Sequence, residues 1–296
     1  MYSAIDSNKR KSWLLLGASI LLIVGVGWLI DEYYGGNGAI IVIAVIYSLI
    51  SALITYYSGD KIALWTNRAK LVEKKDAVEL YRLVENLCIA NGQPQPKIYV
   101  INDPAPNAFA TGRDPEHASI AFTTGLLERL DRTELEGVTA HELSHVKNYD
   151  IRIMTIVAVL VGSITIMVDL FFRARWHGGS DRDRKAAGLM LIFFILALLL
   201  AVIAANLIKL AVSRKREYLA DASGALLTRY PEGLAKALEK IGGYAQPMKN
   251  AKSSTAHLFI GDPFGGKTAG FIAGLFSTHP PIAERIRILR EIGNKP

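Results

Sequence analysis

The sequence predicts a mainly α-helical membrane protein with four transmembrane helices and a soluble part that carries a small β-sheet. Three observations lead there. Residues 13–30, 39–57, 154–172 and 189–208 are apolar runs, each long enough for a hydrocarbon core that takes ~20 such residues. The 296-residue chain is 51% hydrophobic with a mean hydropathy of +0.24, high for a soluble protein. Between the runs, segments with apolar residues at helical spacing alternate with short β-like stretches.

The first run follows Lys9-Arg10-Lys11, as a signal peptide would. Its apolar core is longer than the usual ~7–15 residues, and Asp31-Glu32-Tyr33-Tyr34 follows in place of a small-residue cleavage site, so it reads as a retained anchor. The turn over residues 31–38 has two acids and no base, whereas Lys61, Arg68, Lys70, Lys74 and Lys75 follow the second run. The positive-inside rule then puts the N-terminus and the segment after residue 57 in the cytoplasm. The loop over residues 173–188, with Arg173, Arg175, Arg182, Arg184 and Lys185 against Asp181 and Asp183, argues the other way. Either the first hairpin dominates orientation or the second is only partly inserted. Both leave residues 58–150 and 213–296 on one side, giving a transmembrane hairpin (1–57), a first soluble part (58–150), a second hairpin (151–212) and a second soluble part (213–296).

The net charge of +7 and pI of 9.3 come from bases crowded at the membrane flanks, which orientation explains better than nucleic-acid binding. Cys88 is the single cysteine, so no intramolecular disulfide is available; a small buried apolar residue is its simplest role.

Residues 58–75, with Trp65 among bases, read as an interfacial connector. A helix over 76–91 places Val78, Leu80, Leu83, Val84 and Leu87 on one stripe. Pro94 and Pro96 end it, and 97–101 reads as a strand. Two more strands, 107–111 and 118–122, form a hairpin around a polar turn that holds a solvated His117, and an edge strand there offers backbone pairing to an extended peptide.

The chemistry centres on His141-Glu142-Leu143-Ser144-His145, which fits the zinc-protease pattern HExxH. Residues four apart share a helix face, so His141 and His145 can aim two imidazoles at one ion. A catalytic zinc takes about three protein ligands and keeps a position open for water, whose pKa falls to about 7. Glu142, beside the first histidine, is placed to take that water's proton and pass it to the leaving amine. The helix is supported by the capping-box form of Asp131-Arg132-Thr133-Glu134 and by the recurrence of Leu135, Val138, Leu143 and Val146. If this helix runs on into the third apolar run, the metal lies about 14 Å from the start of the apolar core.

A third ligand is found beyond the fourth run, which continues without a breaker into Glu217-Tyr218-Leu219-Ala220-Asp221. Glu217 is the natural candidate, and Asp221, one turn on, is placed to hydrogen-bond a ligand histidine and fix its tautomer. An ordinary solvated acidic face beside Arg214, Lys215 and Arg216 is the alternative. A competing motif, Gly261 to Thr268, fits the phosphate-loop pattern GxxxxGK[ST] with Lys267 and Thr268 in place. Residues 257–260 are too short for a confident strand before it and no acidic strand supplies a magnesium partner, so nucleotide binding is disfavoured. A non-catalytic metal-binding scaffold would have no need of Glu142. A transporter would show more polar groups in its spans than Asp169 and Asn206.

HELSH just before an apolar run and EYLAD just after one resemble the HtpX family of membrane zinc metalloproteases, relatives of the CAAX prenyl endoproteases. So do Pro106-Asn107-Ala108-Phe109-Ala110-Thr111-Gly112 and Ser277-Thr278-His279-Pro280-Pro281-Ile282-Ala283-Glu284-Arg285. The resemblance covers nearly the whole chain. It implies a zincin-like (gluzincin) metalloprotease domain binding one Zn2+ through His141, His145 and Glu217, with Glu142 as general base and Asp221 in support. It also implies His279 as the residue that stabilises the oxyanion, Arg285 as an orienting arginine and Asn107 on a substrate-binding edge strand. The implied role is cleavage of misfolded or surplus membrane proteins at the cytoplasmic face of the plasma membrane. A prenyl-peptide protease is the nearest alternative.

Overall fold

The computed structural model describes residues 2–33, 35–177, 202–203, 206–208, 213–265 and 280–294. Helices α1 (Tyr2–Tyr33) and α2 (Ala39–Thr66) form an antiparallel hairpin with Gly38 in a left-handed conformation at its turn. Asp31 closes the turn by accepting from the Gly38 and Ile40 amides. Leu21, Ile43, Ile46, Ile50 and Leu53 point outward and are exposed, the inverse of a soluble protein's pattern. Both helices are long and apolar enough to cross a membrane over Ile5–Glu32 and Ala39–Thr66.

Helix α2 continues to Thr66, past the point where a separate connector was expected, and carries Trp65 outward at 82% exposure. Strand β1 (Lys70–Leu71) follows, then helix α3 (Val78–Asn91), which ends on left-handed Gly92. Strands β2 (Lys97–Ile101), β3 (Ala108–Gly112) and β4 (Ala118–Thr123) complete a mixed sheet in the order β1-β2-β4-β3. The expected hairpin is present: β3 runs antiparallel to β4 with Ala108 opposite Phe122, while β2 is parallel to β4. Every residue of β3 and β4 is buried, β3 being packed between α5 and α6. His117 lies in the exposed turn and pairs with Asp114 at 2.6 Å.

Helix α4 (Thr124–Arg129) leads to α5 (Arg132–Lys147), which bears the HELSH motif. The capping box forms as read: Asp131 accepts from the Glu134 amide at 3.0 Å and Glu134 from the Asp131 amide at 2.8 Å. Helix α6 (Asp150–His177) does not continue α5; the two meet at 85°. Asn148 caps α5 and Tyr149 adopts a left-handed conformation at φ 60°, so the chain turns sharply and the straight run toward the membrane is corrected. The third apolar run therefore belongs to a new helix. The two parts would form a third span only if counted together as one bent span. The fourth run falls largely outside the described residues, as does most of the basic loop.

Helix α7 (Arg214–Thr228) starts at Ser213, whose backbone is extended. The uninterrupted helix expected from the fourth run through Glu217 is thus broken at that residue. Helices α8 (Pro231–Gly242) and α9 (Ile282–Gly293) complete the described architecture.

The main core joins Leu80, Leu83 and Leu87 of α3, Val138 and Leu143 of α5, Leu234 and Leu238 of α8 and Leu289 of α9. A second cluster ties Leu15 and Leu16 of α1 to Ile153, Ile156 and Val157 of α6. Two glycines let helices touch at the motif. A Cβ on Gly137 would lie 2.6 Å from the Leu234 amide nitrogen, and one on Gly224 would lie 3.1 Å from that of His141. The first brings α8, and the second α7, onto α5.

Candidate metal centre

Helix α5 presents His141 and His145 one turn apart, with their Nε2 atoms 3.2 Å from each other and their rings nearly perpendicular. Helix α7 crosses them with Glu217, Asp221 and Gly224 on one face, at i, i+4 and i+7. The Glu217 carboxylate approaches His145 Nε2 at 3.5 Å and His141 Nε2 at 3.9 Å. One ligand atom from each of His141, His145 and Glu217 can be chosen so that all lie within 4.8 Å of one another, and all three side chains are buried.

The ring orientations follow from the outer partners. His141 Nδ1 lies 2.9 Å from Asp221 Oδ1, and His145 Nδ1 lies 3.1 Å from Asp150 Oδ2. Each imidazole therefore turns Nδ1 outward to a carboxylate and Nε2 inward, toward the other Nε2 and the Glu217 carboxylate. Two imidazole nitrogens and a carboxylate converge, a donor set that suits a metal cation. Two nitrogens held at ~2.0–2.1 Å from one zinc at a tetrahedral angle would lie about 3.3 Å apart, close to what is seen. The residues fit the ion.

Arg285 is fully buried and clamps Asp221 through Nε at 2.8 Å and a terminal nitrogen at 2.7 Å; another terminal nitrogen lies 3.7 Å from Glu217. Burial alone would raise the Asp221 pKa, but the Arg285 charge and hydrogen bonds outweigh it and hold it at about 2. Burial also holds His141 below the usual imidazole value, against the pull of Asp221. It acts in the same direction on His145, yet the Asp150 hydrogen bond and the Glu217 charge prevail and push that pKa up to about 9. Glu142, buried beside His141 and His145, is raised to about 7, chiefly by burial, and its carboxylate accepts the Ala110 amide of β3.

Of the residues singled out in the sequence, His141, Glu142, His145, Glu217, Asp221 and Arg285 come together here. Sequence reading missed Asp150, five residues after His145, because it returns to the histidine only through the turn at Tyr149. Asn107 lies one residue before β3 with its side chain committed elsewhere: it donates to the Gly261 carbonyl at 2.9 Å and accepts from the Gly261 amide at 3.0 Å. Strand β3 is the edge strand of the sheet, and part of its outer backbone is engaged within the chain. Ile260 donates to the Ala108 carbonyl, Asn107 accepts from the Ala108 amide, Glu142 from that of Ala110 and Thr155 from that of Gly112. The segment before the phosphate-loop motif is a 3-10 turn, Ala256–Leu258, and not a strand. His279, Lys267 and Thr268 lie outside the described residues.

The sequence profile of peptidase family M48 matches residues 74–293, a stretch that holds the whole cluster. The chain belongs to peptidase family M48. This M48 chain is 47% identical over 295 residues to the protease HtpX homolog of Tropheryma whipplei, covering 100% of this chain and 99% of that one. It is 44% identical over 297 residues to the protease HtpX homolog of Caldanaerobacter subterraneus, covering 99% and 98%. The crystal structure of S. mikatae Ste24p shares the fold, with a TM-score of 0.51 at 20% identity, covering 98% of this chain and 67% of that one. The M48 chain is a metalloprotease, and α1 and α2 make it a membrane protein.

Proposed function

We propose that this chain is a membrane-embedded zinc endopeptidase that cuts misfolded or surplus membrane proteins at the cytoplasmic face of the plasma membrane. The observation that carries the chemistry is the convergence of His141, His145 and Glu217, all buried, beside a buried carboxylate that is not one of the three. His141 and His145 would hold the ion through Nε2 and Glu217 through a carboxylate oxygen. A zinc ion there supplies a Lewis acid that polarises a carbonyl and lowers the pKa of water to about 7. Glu142 takes the proton of the attacking water and delivers it to the leaving nitrogen. A bound cation would favour its charged form, which is the form a general base needs. Asp221 and Asp150 hold the histidine rings, and Arg285 holds Asp221. His279 stabilises the oxyanion, a role that rests on the family resemblance. Asn107, just before the edge strand β3, would help form the substrate-binding edge, a role that rests on the family resemblance.

The cytoplasmic orientation is supported by the charges that flank α1 and α2 and by Lys9, whose ammonium lies 4.5 Å from the Tyr149 ring at the α5–α6 joint. The N-terminus and the metal centre then share a side. Four membrane segments, the gluzincin domain assembled from residues 58–150 and 213–296, and the quality-control substrates belong to the same reading, supported by the relatives named HtpX homologs. The test is cleavage of an unfolded protein by detergent-purified enzyme, with zinc restored after chelation, comparing wild type with Glu142→Gln. Zinc-dependent cleavage lost in the variant is the expected result; substantial cleavage by Glu142→Gln would remove Glu142 from the base role.

A further inference from the structure

Asn8 sits near the start of α1, 142 residues before Asp150, yet its side chain is buried at the joint between α5 and α6. Its amide nitrogen has two hydrogens, and both are used. One goes to the Asn148 carbonyl at 2.9 Å and the other to Asp150 Oδ1 at 2.7 Å. The Asn148 carbonyl belongs to the C-cap of α5, left without a helical donor where the chain turns by 85°. Asp150 opens α6, where a carboxylate is favoured by the helix N-terminus, and its second oxygen holds His145 Nδ1 at 3.1 Å. Arg216 of α7 reaches the first oxygen at 3.5 Å. Around this contact, Ser12 is buried and donates to the Asn8 carbonyl at 2.8 Å.

Asp150 is 2% exposed, and the orientation of a buried carboxylate follows from the donors that meet each of its oxygens. Here the membrane anchor claims one oxygen and leaves the other aimed at the histidine. We propose that Asn8 is a positioning residue of the metal centre, acting through Asp150 to fix the ring and tautomer of His145. The N-terminal anchor is then a working part of the site as well as a tether. A purely structural asparagine would fasten α1 to the Asn148 carbonyl without influencing the ion. The inference rests on the reading of His141, His145 and Glu217 as metal ligands.

The test uses the full chain in detergent. Zinc affinity is measured by chelator competition, and ligand geometry by the visible absorption of the cobalt-substituted protein. Wild type, Asn8→Ala, Asn8→Asp, Asp150→Ala, the Asn8→Ala/Asp150→Ala pair and Glu217→Ala are compared. Asn8→Ala is expected to weaken zinc roughly 10-fold and to alter the cobalt band. Asn8→Asp keeps the side-chain shape but sets a carboxylate against Asp150, and is expected to weaken zinc at least as much; it carries the test if the alanine variant does not fold. With Asp150 already replaced, Asn8→Ala should have little further effect, because the path runs through that carboxylate. Zinc affinity within about twofold of wild type in both Asn8 variants, with an unaltered cobalt band, would overturn the proposal. An equal loss with and without Asp150 would overturn it too. Full zinc affinity in Glu217→Ala would sink the ligand reading instead.

Discussion

Replacing Arg285 by leucine strips the buried Asp221 carboxylate of its bidentate cation. Arg285 is 0% and Asp221 1% exposed, and the two charges are joined by hydrogen bonds of 2.8 and 2.7 Å. Removing one partner of such a pair leaves an uncompensated charge in a poor solvent, at a cost of about 3–5 kcal/mol. For a domain of this size the melting temperature falls by about 2–4 °C per kcal/mol, which gives a drop of roughly 6–20 °C. The assay is thermal unfolding of the metal-free chain in detergent. Arg285→Leu/Asp221→Leu removes both charges together and should recover most of the loss. Zinc binding should not recover with it, because His141 has lost its Nδ1 acceptor. Second-sphere losses of that kind weaken metal affinity by about 10- to 100-fold. If Arg285→Leu melts within about 2 °C of wild type, the Arg285–Asp221 pair is not the buried clamp described here.

Gly224→Val should press α7 away from α5, since even a Cβ would lie 3.1 Å from the His141 nitrogen; zinc affinity measured by chelator competition should fall while circular dichroism stays unchanged. Gly137→Ala sets a Cβ 2.6 Å from the Leu234 amide nitrogen and should cost about 1–3 kcal/mol in thermal unfolding. Asp131→Ala removes the α5 cap and should cost about 1 kcal/mol. The Asp131 pKa is lowered by the Glu134 amide and the Thr133 hydroxyl, so that stabilisation is present above the ordinary aspartate value and is lost as pH falls through the lower folded value. The gap between Asp131→Ala and wild type should therefore close in strong acid. Lys267→Ala should leave proteolysis unchanged, and an ATP-dependent activity that fails in this variant would revive the phosphate-loop reading.

What the sequence made legible is what depends on spacing along one helix. HELSH on α5, the capping box at Asp131 and Glu134, and Glu217 with Asp221 one helical turn apart follow from local spacing, and the structure brings the histidines, Glu217 and Asp221 together. The strand hairpin was legible for the same reason, through apolar runs around a polar turn. The elements that failed depend on where a helix stops. Tyr149 takes a left-handed conformation that bulky residues rarely adopt, and no glycine or proline announced the turn that brings Asp150 back to His145. Ser213 breaks α7 from the apolar run before it with an extended backbone that its sequence does not mark. Helix α2 outlasts its apolar stretch because Asp60 and Lys61 continue the helix without belonging to the pattern. The Asn8 contact spans two distant segments, and no local signal encodes it.

The most direct test of the metal centre is the zinc content per chain of purified wild type, Glu142→Gln and Glu217→Ala after dialysis against a weak chelator. One equivalent is expected in wild type and in Glu142→Gln, with a large loss in Glu217→Ala, because the proposal makes Glu217 a ligand and Glu142 the base. A full equivalent in Glu217→Ala, or a zinc-free Glu142→Gln, would contradict that assignment.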